Sequence, residues 1–309
     1  MLQSDYPELF AESDNASIAA QKTYLALHKV YLFFLVVISL LSPLVSAIGS
    51  SSARNIYGVY ATLLGLGLIL FLVLRIKRYD KIWFECRAAA ESIKTTTWRY
   101  MMQASPYTQS REDGVNDQDF IAELAEIRKA IPGIEQHLVG HGVASTQTIT
   151  DKMRQIRAQP LDSRKNFYLE NRLNDQKSWY KQKAKKNKSH ASFWFWAVII
   201  LQSAAFVSAI VCLVRNNFSM NWAPIMTTLA AVFIAWNQTK KHDELVQAYA
   251  LAAQELASLL ALSKTITTEA DFEQLVIQTE EAISREHTLW CARREVSLER
   301  KIRGAPGQS

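Results

Sequence analysis

Residues 193–214 read FWFWAVIILQSAAFVSAIVCLV, and no side chain in this run is charged. At about 1.5 Å per residue, a helix of this length crosses a hydrocarbon core of about 30 Å. Residues 30–48, 56–74 and 218–236 form three further runs of the same kind. The mean hydropathy of the whole chain is nevertheless only -0.05, because the segments between these runs are polar. The sequence therefore predicts a membrane protein with four spans.

Lysine and arginine residues lie almost entirely at one end of the predicted spans. Thirteen lie near the span ends that lead to the termini or to residues 75–192, whereas each short connecting loop, 49–55 and 215–217, holds one. Because basic residues are retained on the cytoplasmic side of a membrane, we expect both termini and residues 75–192 to be cytoplasmic. The net charge of +6 reflects this placement, and we expect no direct binding to nucleic acid.

The two halves of the chain resemble each other at a constant offset of 163 residues. The offset superposes Asp80 on Asp243 and Ile93 on Leu256, just after the second and fourth runs. We therefore expect a parallel duplication in which each half contributes one transmembrane hairpin.

The polar segments repeat apolar side chains at the three- and four-residue spacing of helices. No glycine or proline directly follows span two or span four, so we expect both spans to continue as unbroken helices into the cytoplasm. Apolar doublets recur every seven residues after residue 275 and predict a last helix packed back on residues 243–262. The expected fold is all-α, a polytopic membrane protein with two transmembrane helical hairpins and a cytoplasmic bundle formed by extended exit helices.

This pattern divides the chain into three regions. Residues 1–108 hold the first hairpin with its exit helix, 109–180 form a cytoplasmic helical region, and 181–309 hold the second hairpin with a C-terminal helical hairpin. In the middle region we expect helices from about residue 117 to 131 and over residues 148–158.

Two runs beside the hairpins carry a family resemblance. Residues 87–100, RAAAESIKTTTWRY, follow the first hairpin, and residues 168–180, YLENRLNDQKSWY, precede the second. In these runs, and in residues 285–290, the chain resembles the SLATT family, the SMODS- and SLOG-associating two-transmembrane effector domains of bacterial conflict systems. The resemblance covers nearly the whole chain and implies two tandem copies.

The resemblance implies a membrane effector of bacterial anti-phage, abortive-infection defence. Such an effector is expected to form an oligomeric pore or channel in the inner membrane when a partner or a nucleotide-type signal triggers it. The implied partners are the lipid bilayer, further copies of the chain, and a protein that makes or senses the signal. The alternative is a membrane-anchored scaffold or signalling adaptor without permeation activity.

The sequence offers no set of residues for catalysis, and we expect no enzyme activity, no cofactor and no metal. His137 and His141 have the spacing of a metal-binding pair on a helix, but glycines flank the second histidine and no further ligand lies nearby. The three cysteines are scattered and have no metal-binding or disulfide pattern.

The polar residues of the spans are the first group of candidates. No span contains Asp, Glu, Lys or Arg, which argues against a specific transport site. Neutral polar side chains could line an aqueous path or join helices by hydrogen bonds. The candidates are Ser39, Ser42, Ser46, Thr62, Gln202, Ser208, Thr227 and Thr228.

A second group of candidates would couple a signal to the membrane. Arg172 and Trp179 together suit a phosphate and a base, but we favour a structural pair between Arg172 and Asp175, with Trp179 packed at the membrane interface. Arg87 and Glu91 have the spacing of an ion pair on one helix. The full set is Arg87, Glu91, Trp98, Arg172, Asp175, Gln176 and Trp179.

Overall fold

The computed structural model describes residues 1–47, 50–130, 148–214 and 222–292, without the side chains of 42–47, 50–53 and 285–292. These residues contain no strand, which confirms the all-α prediction. The helices are α1 Glu8–Ala47, α2 Ser50–Lys77, α3 Tyr79–Met101, α4 Asp113–Lys129, α5 Asp151–Arg157, α6 Leu161–Tyr168, α7 Asp175–Val214, α8 Ala223–Lys240, α9 His242–Leu262 and α10 Glu269–Ala292. A π-helical segment, Leu169–Asn174, joins α6 to α7.

The chain divides into two compact units. Among the described residues, the bundle unit comprises those within 1–21, 80–183 and 248–309, and the span unit comprises those within 22–79 and 184–247. Four helical stretches are long and apolar enough to cross a membrane, which confirms the four predicted spans. Only 6 to 11% of the residues in the most apolar part of each stretch are buried, as expected where the surrounding medium is lipid.

The span unit contains helices from both hairpins. Within the second hairpin, the rings of Trp194 and Phe233 lie 5.1 Å apart between centroids. His28 of α1 forms a 2.9 Å hydrogen bond with the hydroxyl of Thr239 in α8, and its ring also lies beside Trp236. The two hairpins are therefore joined by polar and aromatic contacts near one end of their spans.

The prediction of unbroken exit helices is wrong. α2 ends at Lys77, and Arg78 takes a left-handed φ of 45° before α3 begins. α8 ends in the same way, since Lys241 has a φ of 54° and donates its backbone N–H to Asn237 O at 2.8 Å. This bond closes the last helical turn as a left-handed cap does, with a lysine in place of the usual glycine. Neither break lies at a glycine or a proline, so the sequence pattern did not reveal it.

The two breaks occur at equivalent positions of the internal repeat. Arg78 and Lys241 are separated by 163 residues, the offset that superposes the two halves of the sequence. A left-handed backbone is uncommon outside glycine. Its occurrence at equivalent positions, each directly after a span, indicates a shared feature of both hairpins.

The bundle unit has a core rich in aromatic side chains. Trp98, Phe120, Tyr168 and Phe272 are all fully buried, and α3 contributes more buried residues to this core than any other described helix. α4 and α5 correspond to the two helices predicted in the middle region, although α4 begins four residues earlier than expected.

The last helix returns along the preceding one, as predicted. Ala252 and Leu256 of α9 pack against Ala282 and Ile283 of α10, and Tyr180 joins the same cluster. The remaining doublets, 289–290 and the residue at 296, lie outside the described side chains.

We expect Arg78→Gly to stabilise the protein by about 1 kcal/mol, because glycine adopts a left-handed backbone without the steric cost of a Cβ. The measurement is thermal unfolding of the full chain in detergent, followed by circular dichroism. Lys77→Gly is the matched control, since it places glycine inside the end of α2 and should destabilise by up to about 1 kcal/mol. Equal effects from the two variants would contradict the left-handed assignment.

Candidate functional site

A buried ion pair lies at the centre of the bundle unit. The Arg172 guanidinium donates hydrogen bonds to both carboxylate oxygens of Glu280, at 2.9 and 2.6 Å. The two side chains are 1% and 0% exposed. Burial disfavours the charged guanidinium, but the Glu280 carboxylate outweighs this cost and raises the pKa of Arg172 further. The Arg172 guanidinium therefore remains charged although it is buried.

Aromatic and hydroxyl groups complete this polar cluster. Tyr168 donates its hydroxyl to Glu280 at 3.0 Å, and Thr95 of α3 donates to the other carboxylate oxygen at 3.0 Å. Nη1 of Arg172 has no hydrogen-bond partner among the described residues, and the guanidinium lies 5.9 Å from the centre of the Trp98 ring. The cluster thus brings together two of the predicted coupling residues, Trp98 and Arg172.

The cluster extends to the N-terminal residues. The Trp98 indole donates to the Tyr6 hydroxyl at 3.1 Å. Burial raises the pKa of Tyr6 to about 12, so this phenol stays neutral. Lys94 lies 6.0 Å from the Tyr6 ring, and burial together with nearby Arg172 lowers the pKa of its ammonium. The charged and polar side chains of the N-terminal segment, α3, the π-helical segment and α10 therefore form one cluster with a shared electrostatic environment.

The predicted pair between Arg172 and Asp175 is wrong. Arg172 lies in the π-helical segment, whose wider turn changes which side chains share a face. Asp175 is exposed and instead accepts a hydrogen bond from its neighbour Gln176 at 3.3 Å. The true partner, Glu280, is 108 residues further along the chain, so helical spacing alone could not reveal it.

Two further buried arginines were not among the residues predicted from the sequence. Arg164 is 1% exposed, donates to Met102 O at 2.8 Å and pairs with Glu269 at 2.5 Å. Arg157 is also buried and donates to the carbonyls of Tyr100 and Tyr107. With Arg172, these residues follow one another at intervals of seven and eight, but Pro160 separates α5 from α6, so the three do not share a face of one helix. The carboxylate partners of Arg157 and Arg164 are Asp113 and Glu269, which are 44 and 105 residues away. No local pattern in the sequence therefore indicated that these arginines are buried.

The predicted pair of Arg87 and Glu91 is confirmed. Its atoms lie 2.5 Å apart, and Arg87 also pairs with Asp14 of α1 at 3.0 Å. Arg87 therefore bridges one turn of α3 through Glu91 and also joins α3 to α1 through Asp14. Trp179 is partly exposed and packs edge-on against Tyr249 of α9 at 5.5 Å between centroids, so its contact belongs to the bundle unit.

The threonines of the spans bond within their own helices. Thr62, Thr227 and Thr228 each donate their hydroxyl to the backbone carbonyl four residues earlier, at 2.8 to 2.9 Å. This local bond satisfies the hydroxyl hydrogen without a neighbouring helix. These threonines therefore need no partner from another helix.

Gln202 is different from these threonines. It lies near the middle of the third span, is exposed, and has no hydrogen-bond partner among the described residues. Ser39 and Ser208 are half-buried. The side chains of Ser42 and Ser46 lie outside those described.

No group of three metal-ligating side chains occurs in the part of the chain that the structure describes. His137 and His141 lie outside that part. The Cys86 thiol is buried, which raises its pKa to about 11 and disfavours the reactive thiolate.

We expect Glu280→Gln to destabilise the protein by about 3 kcal/mol, because it leaves the Arg172 charge buried without a counter-ion. Chemical unfolding in detergent, followed by tryptophan fluorescence, measures the change. The matched control is Glu126→Gln, which breaks the exposed pair with Lys129 and should cost at most about 1 kcal/mol. If Glu280→Gln costs no more than this control, the ion pair does not hold the bundle together.

Sequence models of two families match the chain one after the other. SLATT_3, the SMODS and SLOG-associating 2TM effector domain 3, matches residues 7–165, and SLATT_1, the SMODS and SLOG-associating 2TM effector domain 1, matches residues 168–290. No curated protein and no solved structure matches the sequence. Each matched segment contains one hairpin, which confirms the duplication expected from the offset of 163 residues. The chain therefore belongs to the SLATT family and consists of two tandem SLATT domains.

Proposed function

We propose that this membrane effector assembles with further copies of itself into a pore that opens when a defence system is triggered. SLATT domains are associated with such systems, and the family assignment supports the effector role. The proposed site of action is the bacterial inner membrane, with the bundle unit in the cytoplasm. The proposal assigns no chemical reaction, cofactor or metal to the chain.

The observation that carries the proposal is the exposed amide of Gln202. A primary amide in hydrocarbon without a hydrogen-bond partner costs several kcal/mol. Within the described residues of one chain, Gln202 has none. Either a second copy of the chain or a column of water molecules would supply the missing hydrogen-bond partners. A pore between subunits would place Gln202 beside both another subunit and water.

The left-handed breaks supply a means of gating. Arg78 connects α2 to α3, and Lys241 connects α8 to α9. Rotation about the backbone of one residue changes the direction of a following helix, and hinges are commonly confined to such positions. A partner or nucleotide-type signal that acts on the bundle unit would change the backbone conformation at Arg78 and Lys241 together.

The second candidate function is a membrane-anchored scaffold or adaptor. The locally bonded hydroxyls of Thr62, Thr227 and Thr228 favour it, because these residues need no water-filled path. In a scaffold, Gln202 would hold subunits together and no ion would pass.

Substitutions of Gln202 in planar bilayers test the pore. We expect Gln202→Glu to increase cation selectivity, because it places a carboxylate in the path, and Gln202→Leu to reduce conductance. Reversal potentials under a salt gradient measure selectivity, and size exclusion in detergent measures assembly. Thr227→Val is the matched control and should change neither property.

Normal assembly with unchanged selectivity in Gln202→Glu would remove Gln202 from the path. Absence of conductance from the parent protein under every trigger applied would favour the scaffold.

Reporter fusions test the proposed orientation. A reporter active only in the periplasm should be silent after Ser309 and active when inserted in the loop at residues 49–55, because basic residues mark the cytoplasmic side. Activity after Ser309 together with silence in the loop would invert the topology.

A further inference from the structure

A groove in the second hairpin has one polar and one apolar end. It lies between α7 and α8 and has a volume of about 530 Å³, within the range of small-molecule sites. All the residues that line it belong to the span unit. Nothing in the proposed pore uses it.

The polar end carries two opposite charges. Lys188 and Asp243 both line the groove, and no ion pair joins them in the described structure. Asn237 also lines the groove, at a level between these charges and the apolar residues. The polar end therefore offers a cation, an anion and an amide.

The apolar end belongs to the membrane span. Phe195, Ile199 and Phe233 line it, and Trp194 packs edge-on against Phe233. Phe195 is 60% exposed and Ile199 is 40% exposed, so this end is open to the surroundings. Since the uncharged run begins at residue 193, the groove crosses the level at which lipid headgroups meet acyl chains.

We propose that this groove binds a phospholipid with a phosphoethanolamine headgroup. Lys188 pairs with the phosphate, and the ammonium donates hydrogen bonds to the carboxylate of Asp243. The Asn237 amide lies beside the headgroup. The start of one acyl chain lies along Phe195, Ile199 and Phe233.

The charges select this headgroup over others. A purely anionic headgroup would bring its charge towards the carboxylate of Asp243 and leave it without a partner. A choline headgroup has no N–H and could not donate a hydrogen bond to the Asp243 carboxylate. An uncharged apolar molecule would leave Lys188 and Asp243 unpaired.

The first hairpin lacks the same site. At the offset of 163 residues, Lys188 corresponds to Leu25 and Asn237 corresponds to Leu74, while Asp243 corresponds to Asp80. The two domains thus share the acidic residue but not the phosphate-binding lysine or the amide. The site is a feature of the second domain alone.

Native mass spectrometry of the full chain in detergent tests the proposal. The probes are phosphatidylethanolamine, phosphatidylcholine and phosphatidylglycerol with identical acyl chains, each titrated separately. We expect the parent protein to bind phosphatidylethanolamine most tightly. Lys188→Leu and Asn237→Leu copy the first hairpin. Each should weaken this binding about tenfold, because the first removes the counter-ion of the phosphate and the second removes the amide beside the headgroup.

Asp243→Asn keeps the shape of the site and should abolish the preference for phosphatidylethanolamine over phosphatidylcholine. Lys185→Leu is the matched control, since this exposed lysine of the same helix does not line the groove. Equal binding of the three lipids by the parent, or an equal loss in Lys185→Leu, would overturn the proposal.

Soluble glycerophosphoethanolamine distinguishes a lipid from a free headgroup. It lacks acyl chains, so we expect it not to displace phosphatidylethanolamine. Displacement at similar concentrations would assign the site to a soluble phosphate ester and overturn the lipid assignment.

Discussion

The buried pair of Arg172 and Glu280 is the contact on which the bundle unit depends. Two charges without access to water are stable only while each has the other. Tyr168 and Thr95 bond to the same carboxylate, and Trp98 lies beside the guanidinium. Because these side chains come from α3, α6, the π-helical segment and α10, the pair fixes four parts of the chain at once.

The pair also lies in a core to which both tandem domains contribute. The two family matches divide the chain near residue 166, yet the bundle unit contains residues from both sides of that division. Thr95 and Trp98 belong to the first SLATT domain, whereas Arg172 and Glu280 belong to the second. The two domains share one core, so neither can rearrange its bundle without the other.

The sequence predicts those features that depend on local composition. Four uncharged runs of sufficient length specify the spans, and a seven-residue repeat specifies the return of α10 along α9. The breaks at Arg78 and Lys241 were not predictable from residue type, since neither position holds the glycine that a left-handed backbone favours. The partner of Arg172 was missed because it depends on long-range packing and on a π-helical turn. The division at residues 108 and 180 remains a prediction.

The order in which the bundle unit is assembled follows from its composition. Its three segments are separated by the two hairpins, and the carboxylates that neutralise Arg164 and Arg172 lie in α10, which follows the second hairpin in the chain. During synthesis, these arginines therefore precede their counter-ions by one transmembrane hairpin. The core of the bundle unit can close only after the second hairpin and α10 have been made, because a buried arginine without its carboxylate is strongly destabilising.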